Sequence, residues 1–172
     1  DAMGPYLAAA VVAAEDQRFV QHAGYDEHAV GALLADFEDG RPKRGGSTIT
    51  QQLARTLFTG GERTAVRKMR ELLYAIEMER TLGKAGILEL YLNTVDWGPG
   101  LCGARSAARA YFGKSPARLS ALEAAWLASV LRNPHGAWDR QFATRQPDRA
   151  LATQVLMQMR DWPMRQRVRF AA

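Results

Sequence analysis

Apolar positions recur along this chain at intervals of three and four, the spacing that gathers side chains on one side of an α-helix. Leu7, Ala10, Val11 and Ala14 fall at i, i+3, i+4 and i+7, which predicts an amphipathic helix running into Glu15. Asp26 is a candidate N-cap for a second helix, with Val30, Leu33, Leu34 and Phe37 on its apolar face. The segment 39–46 carries Gly40, Pro42, Gly45 and Gly46 among basic residues and cannot continue it. Ser47 is the expected cap of the next helix, with Ile49, Leu53 and Leu57 inward and Gly60-Gly61 at its end. Thr64 is expected to cap a long helix that buries Val66, Met69, Leu73 and Ile76 and stops near Gly83.

A short helix follows through Ile87, Leu88, Tyr91 and Leu92, then a loop from 93 to 103 containing Gly98-Pro99-Gly100. Ser120-Ala121-Leu122-Glu123 reads as a capping box. Its helix should bury Leu122, Ala125, Trp126, Ser129 and Val130, until Asn133-Pro134 breaks it. Pro147 suits a last helix start, with Leu151, Val155 and Met159 on the inner face. Nothing alternates apolar and polar for more than a few residues. The predicted fold is mainly α, in one domain over residues 1–172.

Composition narrows the class. Hydrophobic residues make up 47% and charged residues 24% of the 172 positions, so the chain can bury a substantial core. The formal charge of +5 points to an anionic partner, whether nucleic acid, a phospholipid surface or a phosphorylated substrate. No nucleic-acid module accompanies that charge, so nucleic acid is disfavoured. Cys102 is the sole cysteine and is expected in the core; it excludes an internal disulfide. The apolar stretch from 7 to 14 is far shorter than the roughly 20 residues a bilayer span takes, so any membrane anchor is expected outside this chain. His22, His28 and His135 show no metal-ligand spacing. The basic tail from Trp162, with Arg165, Arg167 and Arg169, reads as a solvated or membrane-facing end.

Two carboxylates stand out. Glu15 follows an Ala/Val-rich helix whose apolar neighbours would raise its pKa, as a general base working near neutral pH requires. Taken alone, a Glu at a helix end is ordinarily a surface residue. Glu71 lies four residues after Arg67 and three after Lys68, so the three can share one helix face. Such spacing usually means a solvated ion-pair face, yet Arg55, Arg63, Arg67 and Lys68 outnumber the nearby acids and favour a bound anion. Between the carboxylates, Gly45-Gly46-Ser47-Thr48-Ile49-Thr50-Gln51-Gln52 offers a helix N-terminus, hydroxyls and amides for phosphate or sugar oxygens. The Lys-Ser/Thr ending of a P-loop is missing, and no Ser-x-x-Lys or Gly-x-Ser-x-Gly occurs.

These segments fall in an order that resembles the family 51 peptidoglycan glycosyltransferases: Glu15-Asp16-x-x-Phe19-x-x-His22-x-Gly24, Gly45 to Gln52, Arg67-Lys68-x-x-Glu71, Lys84-x-x-Ile87-Leu88-Glu89-x-Tyr91-Leu92-Asn93, and Ala107-Ala108-x-x-Tyr111-Phe112-Gly113-Lys114. The likeness covers roughly residues 8–135, and Trp97-Gly98-Pro99-Gly100 looks most like its monofunctional branch. It implies a lysozyme-like helical domain with a smaller membrane-associated jaw lobe. It also implies polymerisation of lipid II at the outer, periplasmic face of a bacterial cytoplasmic membrane. By similarity Glu15 would deprotonate the acceptor 4-hydroxyl, which attacks the donor sugar with inversion and expels undecaprenyl pyrophosphate. Lys68, Arg63 and Arg55 would neutralise that pyrophosphate, joined by Arg67. Ser47, Thr48, Gln51 and Gln52 would hold the donor, Glu71 would organise the cationic face or help hold a divalent ion, and Asp16, Phe19, His22 and Asn93 would support the site. The resemblance implies stimulation by Mg or Mn without a tightly held metal, and partners among membrane lipids and cell-wall synthesis or division proteins. Arg55, Thr56 and Asp96 stand where the family usually has Lys, Asn and Glu. The rival readings are a lysozyme-like hydrolase and a lipid-II-binding scaffold without turnover.

Overall fold

A computed structural model describes residues 3–25, 46–60, 64–144 and 146–161. The helix expected after Asp26, the breaker segment up to Gly45, His28, Arg63 and the basic tail from Trp162 lie outside the described residues. Within them the regular structure is helical, with one isolated bridge between Asp96 and Cys102 and no strand. This is the mainly α class read from the periodicity, and it accords with a lysozyme-like helical domain. The chain divides into two compact units, Asp1–Gln17 with Leu92–Ala172, and Arg18–Tyr91.

In the first unit, helix α1 (Gly4–Glu15) packs with α5 (Ala121–Val130) and α7 (Arg149–Asp161). The expected amphipathic stripe on α1 is instead burial on every side, since all of residues 7–13 are buried. Small Ala and Val side chains let neighbouring helices close around it. Helix α4 (Gly103–Phe112) carries Tyr111 into an aromatic cluster, edge-on to Trp126, Trp138 and Phe142. Tyr111 is only 5% exposed, and burial pushes its phenol up to about 12. Ser120 caps α5 as expected, its hydroxyl accepting from Glu123 N at 3.3 Å while Glu123 Oε2 accepts from Ser120 N at 2.9 Å. Leu122 is nonetheless exposed, because Ala124, Ala125, Leu127 and Ala128 form the buried face. Asn133 caps the short helix α6 (Pro134–Ala137). Asp148 Oδ1 accepts from Leu151 N at 3.1 Å at the start of α7, on which Val155 and Met159 are buried. Cys102 is exposed rather than in the core, its thiol directed at Thr94 O at the end of a surface loop.

The second unit holds α2 (Ile49–Ala54), a π turn (Arg55–Thr59) and most of α3 (Ala65–Thr94). Ile49 and Leu53 are buried, but Leu57 falls on the π turn and is exposed. Thr64 caps α3 through Arg67 N at 3.1 Å. The face of α3 is the reverse of the one expected. Val66, Met69 and Leu73 are 62%, 53% and 62% exposed, and Ile76 is half-buried, whereas Glu71, Ala75 and Met78 point inward. Gly24 explains part of this: its φ of +91° suits glycine, and a Cβ there would stand 2.9 Å from Ala75 O. At Gly83 (φ 65°, ψ 175°) α3 breaks, after which Ile87, Leu88, Tyr91 and Leu92 are buried as expected.

Candidate active site

Thr48, not Ser47, caps α2. Its extended backbone (φ −67°, ψ 162°) leaves Oγ1 free to accept from Gln51 N at 3.1 Å, and Gln51 Oε1 accepts from Thr48 N at 3.2 Å. The same hydroxyl donates to Gly24 O at 2.7 Å, tying the loop 18–25 to the helix start. Gln51 is therefore buried and engaged in the cap. Gln52 Oε1 accepts from Tyr91 Oη at 2.9 Å, and its amide nitrogen donates to Ser47 O at 3.4 Å. Adjacent glutamines, which suggested ligand contacts in the sequence, thus have structural work of their own.

Ser47 is released from capping to meet α3. Lys68 Nζ donates to Ser47 Oγ at 2.7 Å and to Glu71 Oε2 at 3.2 Å, while Arg67 Nη1 donates to Glu71 Oε1. Glu71 is 1% exposed, so this is not a solvated surface pair. The Lys68 side chain keeps 25% of its area open, and that of Arg67 keeps 15%. Arg67 Nε is buried with no hydrogen-bond partner among the described residues. Two cations against one carboxylate leave net positive charge at low dielectric, which favours an anion at the open side. Because Ser47 Oγ accepts from the ammonium, its own proton remains available to a ligand oxygen.

Phe19 is fully buried in the loop 18–25, and His22 sits edge-on to it with ring centroids 6.3 Å apart. His22 Nδ1 accepts from Gly24 N at 3.1 Å. Glu15 is the last residue of α1 and is half-buried, with Asp16 N donating to Val12 O at 2.9 Å just beyond it. Arg55 opens the exposed π turn, and Asn93 is exposed in the last turn of α3. The geometry therefore gathers Ser47, Arg67, Lys68 and Glu71, sets Thr48, Gln51 and Gln52 beside them as framework, and leaves Arg55 at the surface. Among the described residues no three His, Cys, Asp or Glu side chains gather in a way that holds a metal.

The sequence profile of the transglycosylase family matches residues 1–160. The chain belongs to this family. The transglycosylase-family chain is 46% identical over 134 residues to a biosynthetic peptidoglycan transglycosylase of Shewanella amazonensis, covering 78% of this chain and 55% of that protein. It is similar at 48% over 136 residues to the protein of that name from Alcanivorax borkumensis, with 78% and 56% covered. The corresponding protein of Rhodospirillum centenum is 49% identical over 134 residues, with 78% and 58% covered. The chain thus spans a little over half the length of these curated relatives.

One surface of this family member was missed by periodicity. Leu57 and Phe58 on the π turn are exposed together with Val66, Met69, Leu73 and Tyr74 on α3. Phe58 stacks on Tyr74 with ring centroids 4.7 Å apart. No helix among the described residues is long and apolar enough to cross a membrane. The signal for this surface was present in the sequence as an apolar helix face; its direction was not.

Proposed function

We propose that this chain polymerises lipid II by inverting glycosyl transfer from undecaprenyl pyrophosphate to the 4-hydroxyl of an acceptor sugar. The observation that carries the reading is the cluster in which Lys68 and Arg67 flank buried Glu71 and Lys68 reaches Ser47. A departing pyrophosphate gains negative charge as the glycosidic bond breaks. Cations already fixed by Glu71 stabilise that charge without reorganising during the step. Ser47 donates its remaining proton to a phosphate oxygen, and Arg55 and Arg63 extend the positive field. Glu15 takes the proton of the acceptor hydroxyl as its oxygen forms the bond to the donor carbon. The names of the relatives, which are biosynthetic peptidoglycan transglycosylases, support the same substrate class.

The exposed apolar side chains of the π turn and α3 support work at a lipid surface, in keeping with a polyprenyl-linked donor. We place that surface on the outer face of the bacterial cytoplasmic membrane. Cell-wall synthesis or division proteins are the partners this reading implies. A Mg or Mn ion would be carried by the pyrophosphate, since Glu71 is already spent on Arg67 and Lys68.

Replacing Glu15 by Gln tests the assignment. With labelled lipid II, gel analysis should reveal no polymer from the variant and normal polymer from the parent, with both folded by circular dichroism. Full activity of Glu15→Gln would overturn the role of Glu15. Release of soluble fragments from purified cell-wall glycan would favour the hydrolase instead, which has no need of a pyrophosphate site.

A further inference from the structure

Glu79 and Lys84 are five residues apart, a spacing that sets side chains about 140° apart around a straight helix. The break at Gly83 removes that separation. Lys84 Nζ lies 2.6 Å from Glu79 Oε1 and 4.5 Å from the centroid of the Phe19 ring. The same Glu79 oxygen accepts from Thr50 Oγ1 at 2.7 Å. Both partners are largely withdrawn from solvent, at 10% exposure for the Glu79 side chain and 22% for Lys84, and Phe19 and Thr50 are fully buried. The Lys84–Glu79 pair thus joins three pieces of the second unit: the loop 18–25 through Lys84, the first turn of α2 through Glu79, and α3 on either side of its break.

We infer that Lys84, held by Glu79, is a positioning residue for glycosyl transfer, fixing in one register the loop 18–25 and the first turn of α2, which follows directly on Ser47 and the cap Thr48. The inference rests on the lipid II reading above for its activity arm only. Lys84 itself touches no reacting group. Its two contacts are electrostatic and directional: a short ion pair to Glu79 and a cation over the Phe19 face. Thr50 stands three residues from Ser47, where Lys68 is received, so slack at Thr50 passes to the anion site through the capped start of α2. Small losses of register at a preorganised charge site lower turnover more than ground-state binding. The hydrogen bond from Thr48 Oγ1 to Gly24 O ties α2 to the opposite end of the loop from Phe19.

The experiment compares Lys84→Met, which keeps the length without the charge, with Lys84→Arg, which keeps the charge and the ring contact. Lys84→Met should lower kcat for lipid II polymerisation about tenfold while KM moves less than about threefold, and Lys84→Arg should recover most of the loss. In hydrogen exchange without substrate, amides of residues 18–25 should exchange about fivefold or more faster in Lys84→Met, with α1 and α5 unchanged and Lys84→Arg near the parent. Glu79→Gln should reproduce the local exchange change, since it removes the charge but leaves an acceptor for Thr50. Unchanged exchange in 18–25, a uniform increase over the whole chain, or an Arg variant no better than Met would each overturn the inference. A parent protein that makes no polymer would refute the lipid II reading instead, and the exchange arm would still decide whether Lys84 positions the loop.

Discussion

Lys68 Nζ lies 2.7 Å from Ser47 Oγ, although 21 positions separate the two residues in the chain. That contact joins the start of α2 to the first turns of α3 and gives the cation a fixed place beside a hydroxyl. Glu71 holds the same ammonium from the other side at 3.2 Å.

The first prediction concerns this contact. Lys68→Ala should lower lipid II polymerisation by about 100-fold, the scale expected for loss of a preorganised charge at a departing anion. Ser47→Ala should cost about tenfold, since one hydrogen bond is lost and the charge remains. Initial rates from labelled lipid II on gels measure both. A Lys68→Ala enzyme as fast as the parent would leave the anion site without support.

Glu71 gives a stability prediction. Removing one partner of a buried charge cluster leaves the other charges uncompensated, so Glu71→Ala should destabilise the fold by about 3 kcal/mol. Glu71→Gln, which still accepts hydrogen bonds from Arg67 and Lys68, should lose less. Chemical denaturation midpoints, with the denaturant slope checked, decide the order. If Ala proved no worse than Gln, charge compensation would not be the function of this carboxylate.

A pH effect is expected at Glu123. Burial works to raise its pKa, but hydrogen bonds from Lys114 and then Ser120 outweigh it and hold the carboxyl below its ordinary value of 4.5. A group whose folded pKa is depressed stabilises the fold above its unfolded pKa and loses that contribution as pH falls through the folded value. Unfolding midpoints of the parent and Glu123→Gln should therefore differ at neutral pH and converge as the medium is acidified below the ordinary carboxyl value. A gap that widened on acidification would contradict the sign.

Helices α1, α2, α3, α5 and α7 were readable because apolar spacing and breakers act locally, whereas α4 was not foreseen. Gly60, Gly83 and Ser120 end or begin helices where expected, whereas Asn133, expected to end α5, caps α6 instead. Direction of burial was less readable. The periodic residues Val66, Met69 and Leu73 define a face on α3, yet that face turns outward because Gly24 presses on Ala75 and Arg67 and Lys68 engage Glu71 on the inner side. The cap of α2 moved by one residue for a similar reason: Thr48 has both Gln51 and Gly24 O as partners, whereas Ser47 has Lys68.

By itself the amino-acid order determined the helical class, most helix ends, the family and the pairing of Glu71 with Arg67 and Lys68, all of which depend on residues a few positions apart. Tertiary structure alone decided that Glu71 is buried, that Ser47 meets Lys68, that Cys102 is exposed, and that Lys84 reaches Glu79 and Phe19 past a broken helix. Those outcomes turn on which of two chemically acceptable faces a neighbour covers. Covering a face is settled by packing between distant segments, and spacing along one helix carries no record of it.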